Sequence, residues 1–455
     1  MTKARFAGGV LAAALLLLAL VFVVRRGAVA PGSSPRATPT IPTPSATAEP
    51  MEERDAQGFL HGRVTTLTGA TWEGRLRFGG DQEAFWSDAF NGRKVENAWV
   101  RHVPPDRLPR ERRGFSVFGL ELGRRERPVS FVRLFMARLG DLSRIEAHGG
   151  RVRVTLKSGT VVDLDRLEAS DFDDGVRVWD PRRGVADLDS ARIRVIELLP
   201  GPRTGRVPTR LQGTVRTAQG SFRGYLQWDR ESCVGTDELP GRTAEGVRRV
   251  RFDAIRSLER REGAVLLVTH HDGRQLSLAR APERGWGGRG TYVDDPRYGR
   301  VLVPWEALER VDFVPGGSGP AYGDFPPGEP LSGSVSVRDG RRLSGRLVYD
   351  LDESESTETL DAPSAGVDYM LPFGLVASIV LPAPADTGEP RARVTLHGGE
   401  ELRLELAGDL GARNAGLLVF AADRPAPEFV PWADVARVDL DRPKGLFPPP
   451  GGRDE

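Results

Sequence analysis

Apolar and polar residues alternate along most of this chain. Val152, Val154 and Leu156 alternate with Arg153 and Thr155, and Val394 and Leu396 alternate with Arg393 and Thr395. A period of two marks a strand buried on one face. Ser158-Gly159, Asp272-Gly273, Asp339-Gly340 and Gly398-Gly399 stand between such runs, where a hairpin turn needs positive φ. Further on come apolar triplets spaced by three, such as Leu139/Leu142/Ile145, Phe252/Ile255/Leu258 and Phe373/Val376/Ile379. With a proline ahead of it, as in VPWEALERVDF from Val303, this spacing predicts one 3₁₀ turn leading into a last strand.

The pattern is repeated. Gly62/Val64/Gly69/Gly74/Leu76, Gly213/Val215/Gly220/Gly224/Leu226 and Gly333/Val335/Gly340/Gly345/Leu347 share one skeleton. After each of these stretches a related module begins: RVRVTLKSGTVVDL from Arg151, VLLVTHHDGRQLSL from Val265 and RARVTLHGGEELRL from Arg391. These close on triplets of their own, Ser190/Ile193/Ile196, Trp305/Leu308/Val311 and Trp432/Val435/Val438. The repeat gives six modules of about 50 residues in three pairs.

Strand, hairpin, loop, 3₁₀ turn and final strand in one module resemble the small SH3-like or Sm-like β-barrel. The resemblance rests on the VxL hairpin and the closing Pro-Trp turn, and it implies architecture only. The oligomerising and RNA-contacting signatures of Sm proteins and the aromatic groove of signalling SH3 domains are both missing. The expected fold class is therefore all-β: tandem small β-barrels or β-sandwich modules after one N-terminal transmembrane helix. Alternatively, two modules fuse into one larger barrel or sandwich of about 100 residues, which buries more core per unit.

Phe6 to Val24 is an uncharged apolar run, long enough as a helix to cross a hydrocarbon core of roughly 30 Å. Lys3 and Arg5 precede it and Arg25 and Arg26 follow it. A short basic N-terminus is the easier end to retain in the cytoplasm, which puts the bulk of the chain outside the inner membrane. The two arginines are poor neighbours for a signal-peptide cleavage site, which favours an uncleaved anchor. The expected organisation is an anchor over 1–26, a Pro/Thr/Ser-rich tether over 27–57, β pairs over 58–200, 211–314 and 329–442, and a disordered tail over 443–455. The first pair also carries an insertion of about 30 residues between Asn91 and Arg133.

With 64 basic and 63 acidic residues the net charge is +1, which gives no electrostatic case for a nucleic-acid partner. Arginine supplies nearly all the positive charge; the lysines are Lys3, Lys94, Lys157 and Lys444. Cys233 is the only cysteine, so there is neither a disulfide framework nor a cysteine-based metal site. His270 and His271 sit side by side on a strand and point to opposite faces. DFDDG from Asp171 lacks the spacing of a calcium loop, and no cofactor motif is present.

One segment of the first pair, DQEAFWSDAFNG, sets Phe85, Trp86 and Phe90 among Glu83 and Asp88. Aromatics beside carboxylates can stack on and hydrogen-bond a sugar ring or a peptide. These five residues form the candidate binding site. They can equally plug their own barrel, because the equivalent segments WDRESCVGTDELPG and YDLDESESTETLDA are acidic too. The expected function is non-enzymatic: binding or scaffolding of an envelope protein or glycan by a membrane-anchored repeat protein. The alternative is an envelope glycan hydrolase whose site in the first pair is formed by the Glu83 loop and the insertion.

Overall fold

The computed structural model describes residues 53–79, 82–86, 89–107, 110–117, 120–128, 133–280, 288–383 and 390–445. The expected anchor over 6–24 lies outside them. Among the described residues no helix is long and apolar enough to cross a membrane. The fold is all-β, built of antiparallel sheets, none of them closed among the described residues.

The alternation produces the strands it predicts. Val152, Val154 and Leu156 are buried, and the hairpin glycines Gly159, Gly273, Gly340 and Gly399 have φ of 91°, 87°, 92° and 96°. Five of the six triplets begin in a 3₁₀ turn: Leu139–Asp141, Ser190–Arg192, Phe252–Ala254, Phe373–Leu375 and Trp432–Asp434. At the sixth, Leu308 N–H donates to Pro304 O at 3.1 Å in an irregular turn.

The modules do not form separate barrels, because the two members of a pair exchange strands. In the first pair one eight-stranded sheet runs Val161–Asp165, Arg151–Leu156, Leu142–His148, Ile193–Leu198, His61–Thr66, Thr71–Phe78, Val176–Asp180, Gly184–Leu188. The hairpin Ala89–Arg93/Leu134–Arg138 meets the first of these through a bridge from Lys94 to Leu164. From the two central strands outward, the order on both sides is fifth, first, second, third, fourth, with first and second supplied by the other module. One half is continuous in the chain. The other joins strands from the two ends of the pair.

The second pair keeps this order, Gly246–Arg251, Glu238–Thr243, Gln275–Ala279, Val265–His270, Ile255–Arg261, Arg310–Val314, Gln212–Thr217, Gly220–Trp228, Thr291–Asp295, Gly299–Val303. Its sheet then continues into the third pair through Val367–Pro372 and Thr359–Ser364. The remaining strands of the third pair run Glu401–Glu405, Arg391–Leu396, Val376–Val380, Val435–Leu440, Ser332–Val337, Arg342–Val348, Leu417–Phe420, Glu428–Val430.

Strand exchange explains the glycine skeleton. A Cβ on Gly74, Gly224 or Gly345 would lie 1.9, 1.8 or 2.2 Å from the carbonyl oxygen of Trp179, Asp294 or Phe420, each on or beside the third strand of the other module. Only glycine lets these backbones meet. Leu76, Leu226 and Leu347, two residues on, are buried in the core.

The segments between pairs are part of the fold. Glu53–Asp55, at the end of the expected tether, pairs with Thr204–Arg206, between the first and second pairs. Tyr322 and Phe325, in the glycine- and proline-rich segment between the second and third pairs, pack into the core of the first pair. Leu226→Ala is expected to cost about 2–5 kcal/mol, because the surrounding strands cannot collapse into the space. Gly224→Val should abolish cooperative melting of the second pair, as followed by circular dichroism. A Gly224→Val chain that melts like the parent would refute the exchanged arrangement.

Candidate functional site

The DQEAFWSDAFNG segment closes a loop found in all three pairs. Phe78, Trp228 and Tyr349 N–H donate to Gln82, Ser232 and Glu353 O at 2.9, 2.7 and 2.7 Å. Leu60, Leu211 and Leu331 N–H then donate to Glu83, Cys233 and Ser354 O at 2.7, 2.8 and 2.8 Å. Glu83 thus occupies the position of Cys233 and Ser354. In the other two loops an acid caps the turn: Asp237 Oδ2 accepts from Cys233 and Val234 N–H at 2.9 and 3.1 Å, and Glu358 Oε2 from Ser354 and Glu355 N–H at 2.5 and 3.0 Å. The acidity shared by these loops has this local cause.

The four described candidate residues are buried; Asp88 lies outside the described residues. Both oxygens of Glu83 are held from the neighbouring strand, by Arg75 at 3.1 Å and Arg77 at 2.5 Å. Arg77 also reaches Asp237 of the second pair at 3.2 Å. Phe85 stacks at a tilt on Tyr322, with centroids 4.9 Å apart, and Trp86 packs against Phe325 at 6.0 Å. Phe90 meets Phe78 edge-on. Buried Arg210, just ahead of the second pair, donates to Trp86 O at 2.9 Å. These side chains therefore form a joint between pairs.

A cavity of about 30 Å³ lies beside Trp86, between Arg138, Asp294, Arg300, Thr357 and Met370. It has room for about one water molecule and none for a sugar ring. Trp86→Ala is expected to cost about 3–5 kcal/mol in a thermal melt, since it removes an aromatic from a packed joint. A normal melt would show that the joint does not depend on it.

A second joint ties the first pair to the third. Lys94 Nζ lies 2.6 Å from Asp352 and 3.7 Å from Glu358, and Arg133 lies 2.9 Å from Asp350. Ser158 and Thr160 both donate to Glu355, and Lys157 Nζ donates to Tyr322 and Phe325 O at 2.5 and 3.0 Å. Burial works against the Lys94 ammonium, but Glu358 and Asp352 outweigh it and raise its pKa. Burial pushes the carboxyl groups of Asp350 and Asp361 up to about 6. It pushes Asp409 up to about 8, with the charge of Asp361 adding to the effect. Glu353 is raised by burial and by Asp352, and Glu358 chiefly by burial. Among the described residues no cluster of His, Cys, Asp or Glu has the geometry to hold a metal ion.

Raised carboxyl pKa values mean that the folded chain keeps protons that the unfolded chain has released. Their stabilising contribution is full below the ordinary value of 3.8 and is lost as pH rises through 6 and 8. The melting temperature of the full chain should fall from about pH 5 to about pH 9. Asp409→Asn should flatten the upper part of that fall, because the amide still accepts from Asp361 N–H without ionising. A flat profile in the parent would show that these groups ionise freely.

The third pair carries a groove of about 500 Å³ that sequence reasoning missed. Leu381, Leu406, Leu410, Phe429 and Trp432 give it apolar walls, and Arg107 and Arg338 are its charged residues. Arg338 is fixed through Ala433 O at 3.1 Å and Pro382 O at 3.0 Å. Arg107 comes from the first pair, just past Trp99, Val100 and Val103, which pack on the third pair's Val348, Leu351 and Leu418. Among the described residues no carboxylate lines the groove. Its one sequence signal was the Pro431-Trp432 turn. Comparison with known proteins gives no matching family model, no matching curated protein and no matching solved structure.

Proposed function

We propose that the chain is a non-enzymatic binding protein of the bacterial cell envelope. On this reading the 6–24 run anchors it in the inner membrane and the tether carries three interlocked β pairs outside the cytoplasm. The groove of the third pair takes an amphiphile with a single anionic group. The observation that carries this is the composition of the groove: apolar walls and two guanidinium groups, with no competing carboxylate among the described residues, in a volume typical of small-molecule sites. Neutralised at one end and desolvated along its length, such a ligand leaves no buried charge unpaired.

The glycan-hydrolase alternative draws little support from the first pair. A general acid or nucleophile needs an oxygen that faces substrate, and both oxygens of Glu83 face arginines.

A photo-crosslinking amino acid at Ala412, within the groove, should label an anionic amphiphile in growing cells. The same group at Leu167, which is 87% exposed on the first pair, should not. Equal labelling at both positions, or none at Ala412, would sink the groove reading. A periplasm-dependent reporter fused after Glu455 should be active, and a cytoplasm-dependent one silent. The opposite pattern would remove the envelope from the proposal. Loss of glycan turnover in Glu83→Gln with an unchanged melt would favour the hydrolase.

A further inference from the structure

The chain joins its second and third pairs edge to edge, and it leaves the matching edges elsewhere open. In that joint the fourth strand of one module, Gly299–Val303, meets the fourth strand of the next pair's first module, Val367–Pro372. Arg300 stands opposite Met370, Val301 opposite Tyr369 and Leu302 opposite Asp368. Four equivalent strands have no such neighbour among the described residues: Leu134–Arg138, Gly184–Leu188, Gly246–Arg251 and Glu428–Val430.

Two of the four are disqualified. Met136, Ala137 and Arg138 line the small cavity at the joint between pairs, so that strand is enclosed. Glu428–Val430 is three residues long, and Glu428 is clasped by Arg341 and Arg424, which is how proteins blunt an edge.

The other two match each other. Val185 is 59% exposed and Val247 is 62% exposed, unusual for valines on strands. From Gly184 to Asp189 the chain carries Asp187 and Asp189 and no base, whereas from Gly246 to Arg251 it carries Arg248, Arg249 and Arg251 and no acid. Each charged strand already has an in-sheet partner on one side, Asp187 with Arg177 and Arg249 with Glu238, which leaves the outer edge to a neighbour.

Within one chain these edges do not meet. The first and second pairs are held instead by Glu53–Asp55 on Thr204–Arg206, by Arg77 on Asp237 and by Arg210 on Trp86. We propose that Gly184–Leu188 and Gly246–Arg251 pair with Gly246–Arg251 and Gly184–Leu188 of a second copy, so that two reciprocal joints close a two-fold dimer. Aligning Gly184 with Gly299 and Phe252 with Phe373 fixes the register. Val185 then faces Arg249, Ala186 faces Arg248 and Asp187 faces Val247. Backbone pairing supplies the affinity, and the opposite charges reject the like-with-like alternatives.

The test uses the full chain in its membrane with Val185→Cys and Arg249→Cys together, oxidised and run without reductant. The native Cys233 is buried and does not compete. A dimer-sized product is expected, and a Leu167→Cys/Arg249→Cys control should give at least tenfold less. Adding Asp187→Arg or Val247→Pro to the cysteine pair should lower the product at least tenfold, with the melting temperature unchanged because both positions are at the surface. Absence of the dimer, equal crosslinking in the control, a product of monomer size, or insensitivity to both edge substitutions would each overturn the proposal.

Discussion

One kind of carboxylate ties the first pair to each of the other two, the acid that caps its own loop and also receives a cation from another pair. Asp237 accepts two loop amides of the second pair and pairs with Arg77 of the first. Glu358 does the same in the third pair, 3.7 Å from Lys94. A charge taken out of water needs both kinds of partner, since amides alone leave it unneutralised and a cation alone leaves its lone pairs unfilled. Loop shape and contact between pairs are therefore coupled. A loop that opens loses its cap and its ion pair together.

The same logic accounts for where lysine appears in a chain that otherwise uses arginine. Lys94 and Lys157 both sit in joints with the third pair or its linker. Lys157 faces two carbonyl oxygens and the ring of Tyr322, and burial lowers its pKa to about 8. A compact ammonium can enter such a space where a planar guanidinium with five donors would leave several unpaired.

Local features were legible in the sequence and long-range ones were not. Period-two runs, hairpin glycines and spaced triplets each depend on residues within a few positions of one another, and the strands stand where those runs do. The closed small barrel expected from the module outline is replaced by exchanged sheets, because the choice between pairing within a module and across modules turns on Gly74, Gly224 and Gly345 meeting the carbonyls of Trp179, Asp294 and Phe420, far away in sequence. At the candidate site, Glu83, Phe85, Trp86 and Phe90 stood out by composition. Their partners Arg210, Tyr322 and Phe325 lie outside the expected pairs, so composition left a plug and a binding platform both open. The groove left no compositional trace, being assembled from several separated loops and an arginine of another pair.

Strand exchange also sets the order in which a newly made chain can fold. The continuous half of the first pair, from Ala89 to Asp165, finds its partners soon after it emerges. His61–Thr66 and Thr71–Phe78 come out earlier, yet they have only each other until Ile193–Leu198 and Val176–Asp180 arrive. An isolated hairpin is marginal in water. For that interval the leading segment has an unsatisfied edge and an exposed apolar face, and it is the part of the newborn protein most open to a chaperone or a protease.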